Sequence, residues 1–151
     1  MALNSNQFAQ TEVVGTLDLQ NSAQNVHNAV VGSGQATPLV AGQPVTLVDS
    51  ATPIPAVIAG AIGDVAYGAV VRSLKNPDFP AGQTLEIACV GTVIYLEASA
   101  AIARGADVQY DPSTHKIATK TSTNAILGQA YDKALADGDL IRVTINPASG
   151  A

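Results

Sequence analysis

Tryptophan is absent from this 151-residue chain, cysteine and methionine occur once each, and phenylalanine twice. A lone cysteine rules out an internal disulfide, and one thiol supplies no metal-ligand spacing. Charged residues make up 13% of the chain, against about 25% in an average domain. The seven Lys and Arg are scattered from Arg72 to Arg142, and the net charge is −5. Counterion release on nucleic acid needs clustered cations, so neither direct nucleic-acid binding nor attachment to an anionic membrane surface is expected. No uninterrupted apolar run is long enough to cross a bilayer; the most apolar window, Ala56 to Val71, is broken by Asp64 and by glycines. The opening MALNSNQFAQ has neither a basic start nor an apolar core, so no signal peptide is expected.

What is present is small and uncharged. Hydrophobic residues reach 47%, much of it Ala and Val, on a background of Asn, Gln, Ser and Thr. At this length one domain is the simplest reading, and folding buries about 70% of the chain's surface. The organising stretch is Thr84 to Leu96, TLEIACVGTVIYL, where period-two alternation and β-branched residues argue strand. Gly91 breaks it, so it reads as two strands sharing a corner, a central strand pair. Further strands are expected at Val45–Val48, Ala56–Ala61, Val65–Val71, Val108–Tyr110, Lys116–Lys120, Ala125–Tyr131 and Leu140–Ile145. Gly and Pro separate them, as in Ala41-Gly42-Gln43-Pro44 and Asn76-Pro77-Asp78. Glu97 to Ala103 is the one helix-compatible piece.

This spacing predicts an all-β chain: a small β-barrel or a tulip- or sandwich-like domain. Composition changes near Pro38. Residues 1–37 read as an extended N-terminal arm, 38–147 as the β domain and 148–151 as a short tail. A loosely packed first hairpin is the other reading of the arm. A faint internal repeat runs through the domain, from Gly42 to Tyr67 and again from Gly105 to Tyr131. Two copies are too few for a solenoid and suggest two pseudo-symmetric sheets closing one barrel.

The search for chemistry returns little. Gly32-Ser33-Gly34 is followed by no Lys-Ser or Lys-Thr and opens no helix, so it is no phosphate cradle. His27 and His115 lack a neighbouring nucleophile motif and read as solvated surface residues. Asp111, Asp132, Asp137 and Asp139 read as turn residues rather than a calcium or acid–base cluster. Tyr67, Tyr95, Tyr110 and Tyr131 read as core-edge or interface residues. Cys89, inside the apolar run, reads as a small buried core residue. No catalytic residue, cofactor site or metal site is expected.

Five stretches carry a resemblance. They are Ala41-Gly42-Gln43-Pro44-Val45, Gly63-Asp64-Val65-Ala66-Tyr67-Gly68, Arg104-Gly105-Ala106-Asp107-Val108-Gln109-Tyr110-Asp111, Ile126-Leu127-Gly128-Gln129-Ala130 and Asp137-Gly138-Asp139-Leu140-Ile141-Arg142-Val143. Over Ala41 to Asn146 the chain resembles the capsid cement, or head decoration, proteins of tailed bacteriophages. The resemblance implies a small β domain, made in the host cytoplasm, that docks on the outer capsid surface of the virion. It would bridge neighbouring copies of the major capsid protein and self-associate as a dimer or trimer. Residues 1–37 depart from the short lead-in of that family. Phe8, Val13, Val14 and Leu17 are the candidate apolar contacts they offer to a neighbour. Two other classes compete: a phage fibre or receptor-binding module, and a small trimeric β-fold nucleotide hydrolase, for which no converging motif is found.

Overall fold

The computed structural model describes residues 13–18 and 24–150. They form twelve strands and, among the described residues, no helix. The first barrel is built from β1 (Val26–Val31), β3 (Pro44–Val48), β4 (Ala56–Ala59), β5 (Gly68–Val70) and β7 (Thr84–Ala88). It closes in the order β1-β4-β3-β5-β7, with β1 and β4 parallel and every other pair antiparallel. A second sheet, in the order β10-β9-β11-β12-β8, comes from β8 (Val93–Glu97), β9 (Asp107–Asp111), β10 (Lys116–Thr119), β11 (Ile126–Ala130) and β12 (Leu140–Ala148). Two short strands, β2 (Leu39–Val40) and β6 (Asp78–Phe79), pair under the first barrel.

The second sheet repeats the topology of the first. Strands β1, β3, β4, β5 and β7 correspond in order to β8, β9, β10, β11 and β12. Where β1 meets β4 in parallel, Ala98 at the end of β8 makes a parallel bridge to Ile117 of β10. Where Leu39 pairs with Phe79, Ile102 pairs with Ala134. Loop hydrogen bonds match as well. Gly42 N–H donates to Val70 O and Gly105 N–H to Ala130 O, both at 2.7 Å. Gly82 N–H donates to Val31 O and Gly138 N–H to Ala98 O, both at 2.8 Å. The repeat expected from sequence is therefore real, with two corrections. The first copy closes on itself as a barrel and the second is a separate five-stranded sheet, so the two do not share one barrel. The repeat's register is set by Gly68 and Gly128, which pair with Val45 and Val108, the second residues of β3 and β9, and not by Tyr67 and Tyr131.

The apolar run from Thr84 is two strands with a corner, but they do not pair with each other. β7 belongs to the first barrel and β8 to the second sheet. Gly91, at φ +88°, makes the turn between them. Thr92 fixes that junction: its fully buried hydroxyl accepts from Asn25 N–H and donates to Asn25 O, both at 3.0 Å. The composition change at Pro38 is not the start of the folded unit, since β1 lies before it and pairs with β7 along its whole length. Nor does Glu97–Ala103 form a helix; its residues serve strand β8 and the two isolated bridges. The end of the chain is docked too, with Lys120 Nζ donating to Gly150 O at 2.8 Å.

Two apolar clusters result. Inside the first barrel lie Val31, Leu39, Val45, Val57, Val70, Phe79, Leu85, Ile87 and Cys89. The other cluster fills the second sheet with Ile94, Leu96, Ile102, Val108, Ile117, Val143 and Ile145. Ala69, Val71 and Ala88 leave the first barrel to join the second cluster. Alternation explains this: Val70 and Ile87 point inward, so Ala69, Val71 and Ala88 beside them point at the second sheet. β5 is buried on both faces and reads as continuous small apolar residues, whereas β7 exposes Thr84 and Glu86 and is buried on both faces only at its end, Ile87 and Ala88.

Candidate functional site

The segment Val13–Asp18 lies along the free edge of β8. Gly15 N–H donates to Tyr95 O at 2.8 Å, Tyr95 N–H to Thr16 O at 2.9 Å, and Asp18 N–H to Val93 O at 2.9 Å. Leu17 pairs with Ile94. Of the candidate contact residues, Val13, Val14 and Leu17 are half-buried, and Val14 and Leu17 pack on the second apolar cluster of their own chain. Phe8 lies outside the described residues.

Beside this segment opens a groove of about 640 Å³. One wall is Val13, Val14 and Ala41; the other is the loop Arg72 to Pro77; Glu97, Gly138 and Leu140 of the second sheet complete it. The loop is shaped by Ser73, whose hydroxyl accepts from Lys75 N–H at 3.2 Å and Asn76 N–H at 3.3 Å. Those two bonds turn the chain outward at Leu74, which is 92% exposed. A second exposed leucine, Leu135 at 72%, lies just past Ala134 in the connection that leads into β12. There the Asp139 carboxylate accepts from the N–H groups of Leu135 and Ala136 at 2.7 and 3.0 Å.

A charged cluster ties the same side together. Arg142 of β12 grips Asp132 through Nε and Nη2, both at 2.7 Å, and reaches Asp18 at 3.0 Å through Nη1. Its guanidinium lies 4.5 Å from the centre of the Tyr131 ring. The hydrogen bonds from Arg142 hold the Asp132 carboxyl below its ordinary range, against a smaller opposing push from burial. Lys116 binds Glu97 at 2.9 Å and Asp137 at 2.7 Å. The Asp111 carboxylate caps its own turn through Ser113 N–H and Oγ at 2.8 and 2.6 Å. All four aspartates singled out in the sequence thus have structural partners, and among the described residues no three His, Cys, Asp or Glu group together as metal ligands.

The histidines do more than face solvent. His115 Nδ1 meets the hydroxyl of buried Tyr110 at 3.0 Å, and His27 Nδ1 meets that of Tyr67. Burial raises the Tyr110 hydroxyl well above its ordinary value, so it stays a neutral hydrogen-bond partner. Cys89 is buried beside Tyr67, and burial pushes its thiol up, away from the reactive thiolate. The geometry offers surfaces and pinned loops, and each charged cluster described is closed by its own partners.

The family model described as phage cement protein matches residues 16–145. The chain belongs to the phage cement protein family. Its fold is similar to the crystal structure of the head fibre gp8.5 N base of bacteriophage phi29. That likeness has a TM-score of 0.55 at 13% identity, covering 80% of this chain and 92% of the other. No curated protein matches the chain. This phage cement protein is a structural protein of the virion. Its exposed Leu74 and Leu135 escape sequence reasoning because both sit inside turn signals, where apolar residues carry no periodicity.

Proposed function

We propose that this cement protein binds the outer surface of a phage head and stabilises the shell by bridging neighbouring major capsid subunits. The observation that carries the reading is the family match over nearly the whole described chain. The physics supports it. A shell offers the same site many times, so modest contacts made by each copy add up to a large total stabilisation. The protein acts without catalysis, and self-association as a dimer or trimer on a matching symmetry axis adds to its reach. Phe8 and Val13, at and near the start of the chain, are proposed to extend the contact to a neighbour, with Val14 and Leu17 anchoring that segment to its own body.

The fold likeness to a head fibre base favours one second reading, in which the domain is a platform from which a fibre projects. One experiment separates the two. Purified protein is added to heads that lack it, and the heads are pelleted, imaged and heated. Cement function predicts saturable binding, compact density between capsid subunits and a raised temperature of head disruption. Density projecting outward, with no gain in heat resistance, supports the platform instead. Absence of any binding overturns both. Removing residues 2–12 should weaken occupancy; full occupancy by the truncated protein overturns the proposed role of Phe8.

A further inference from the structure

We infer that the loop Arg72 to Pro77 and the groove it walls form the face that docks on the capsid. The inference rests on the cement reading and adds which surface makes the contact. The internal duplication supplies a control for it. Val71 N–H donates to Glu86 O in the first copy, and Tyr131 N–H donates to Arg142 O at the same place in the second. Phe79 pairs with Leu39, and Ala134 pairs with Ile102. Between these matched points the first copy runs from Val71 to Phe79, while the second needs only Tyr131 to Ala134. The second copy closes its sheet and its bridge with the shorter path, so the fold does not require the extra residues of the first.

Those extra residues are not neutral filler. They carry Leu74, the most exposed large hydrophobic residue in the described chain. An apolar side chain held out in water costs free energy that a partner recovers. Arg72 and Lys75 flank it, and neither makes an ion pair among the described residues, on a protein of net charge −5. Ser73 restrains the backbone on either side, which lowers the ordering cost on binding. Across the groove lie Gly138 and Leu140, next to the restrained turn that exposes Leu135. The occupant this face fits is a capsid surface with an apolar hollow rimmed by carboxylates: Leu74 fills the hollow, and Arg72 and Lys75 meet the rim.

The test uses the full chain and heads lacking it. Leu74→Asp and Arg72→Glu/Lys75→Glu are compared with wild type by co-sedimentation at low and high salt, with thermal unfolding of each variant measured alongside. The control is Leu47→Asp, at the opposite end of the first barrel, where Leu47 is 51% exposed. Leu74→Asp should weaken binding at least tenfold with an unchanged melting temperature. The double charge reversal should weaken it and remove its salt dependence, and the control should bind normally. Normal binding by Leu74→Asp, or loss of binding in the control alone, overturns this face while leaving the cement reading intact. Failure of the wild-type protein to bind heads overturns the cement reading and this inference with it.

Discussion

Arg142 joins three stretches that are far apart in sequence: its own strand, the connection at Asp132 and the N-terminal segment at Asp18. Because the Asp132 carboxyl titrates below its unfolded value, the pair stabilises the fold above about pH 4 and that stabilisation is lost as pH falls through the folded-state value. Asp132→Asn should cost roughly 1–2 kcal/mol at pH 7. It should also flatten the loss of stability between about pH 5 and pH 2, which urea titrations at several pH values would read. An equally steep acid limb in the variant would contradict this. Gly128 makes a different demand. A Cβ there would run into the Thr144 carbonyl oxygen, and one at its counterpart Gly68 into Ala88 O. The clash is with backbone in a paired strand, which cannot swing aside. Gly128→Ala should therefore cost about 3 kcal/mol, whereas Gly34→Ala, which meets nothing within 4 Å, should change stability by less than about 0.5 kcal/mol. Denaturant midpoints of the two variants give the comparison.

Strands β8 and β10 show what one lysine, paired with Glu97 and Asp137, does for an element. The first barrel closes through the parallel pairing of Val30 and Val31 with Ala56 and Val57. The second sheet has only the Ala98–Ile117 bridge there, and Lys116 spans the seam to Glu97. Lys116→Met should leave the melting temperature nearly unchanged but speed hydrogen exchange at the Ser99 amide, which donates to Ile117 O across the seam. Unaltered exchange there would show that the backbone bridge alone holds it. Strands such as β3 and β9 were legible because alternation and flanking glycines coincide. β1 was not, since VHNAVV exposes His27 and Asn28 on a polar background. The repeat was visible through its turn glycines. Its register was hidden because equivalent positions share burial rather than identity, as with Ala29 and Leu96 or Val57 and Ile117, while the two Ala-Tyr pairs fall out of step. The docking face was illegible for a related reason: its loop is recognised as an insertion only when the second copy is laid beside it.

At the scale of the whole molecule, the question is whether two similar sheets behave as two domains. Their contact argues that they do not. Ala69, Val71 and Ala88 are wall residues of the first barrel and core residues of the second sheet at once. Neither sheet can lose its structure without exposing apolar surface of the other, and the Asn25–Thr92 bonds lock the crossing point between them. Small side chains at the shared wall let the strands approach closely, which is where the abundance of alanine in the sequence is used. Calorimetry should therefore show one transition, with the calorimetric and van't Hoff enthalpies equal. Ala69→Glu places a carboxylate into this dry contact with no partner for it, and burying an unpaired charge costs more than separating the sheets. The variant should unfold in two steps, the second sheet keeping its own cluster after the first barrel has parted from it. Two transitions in the wild-type protein would show that the shared wall does not couple the copies. Such coupling means that force applied to either copy is resisted by both.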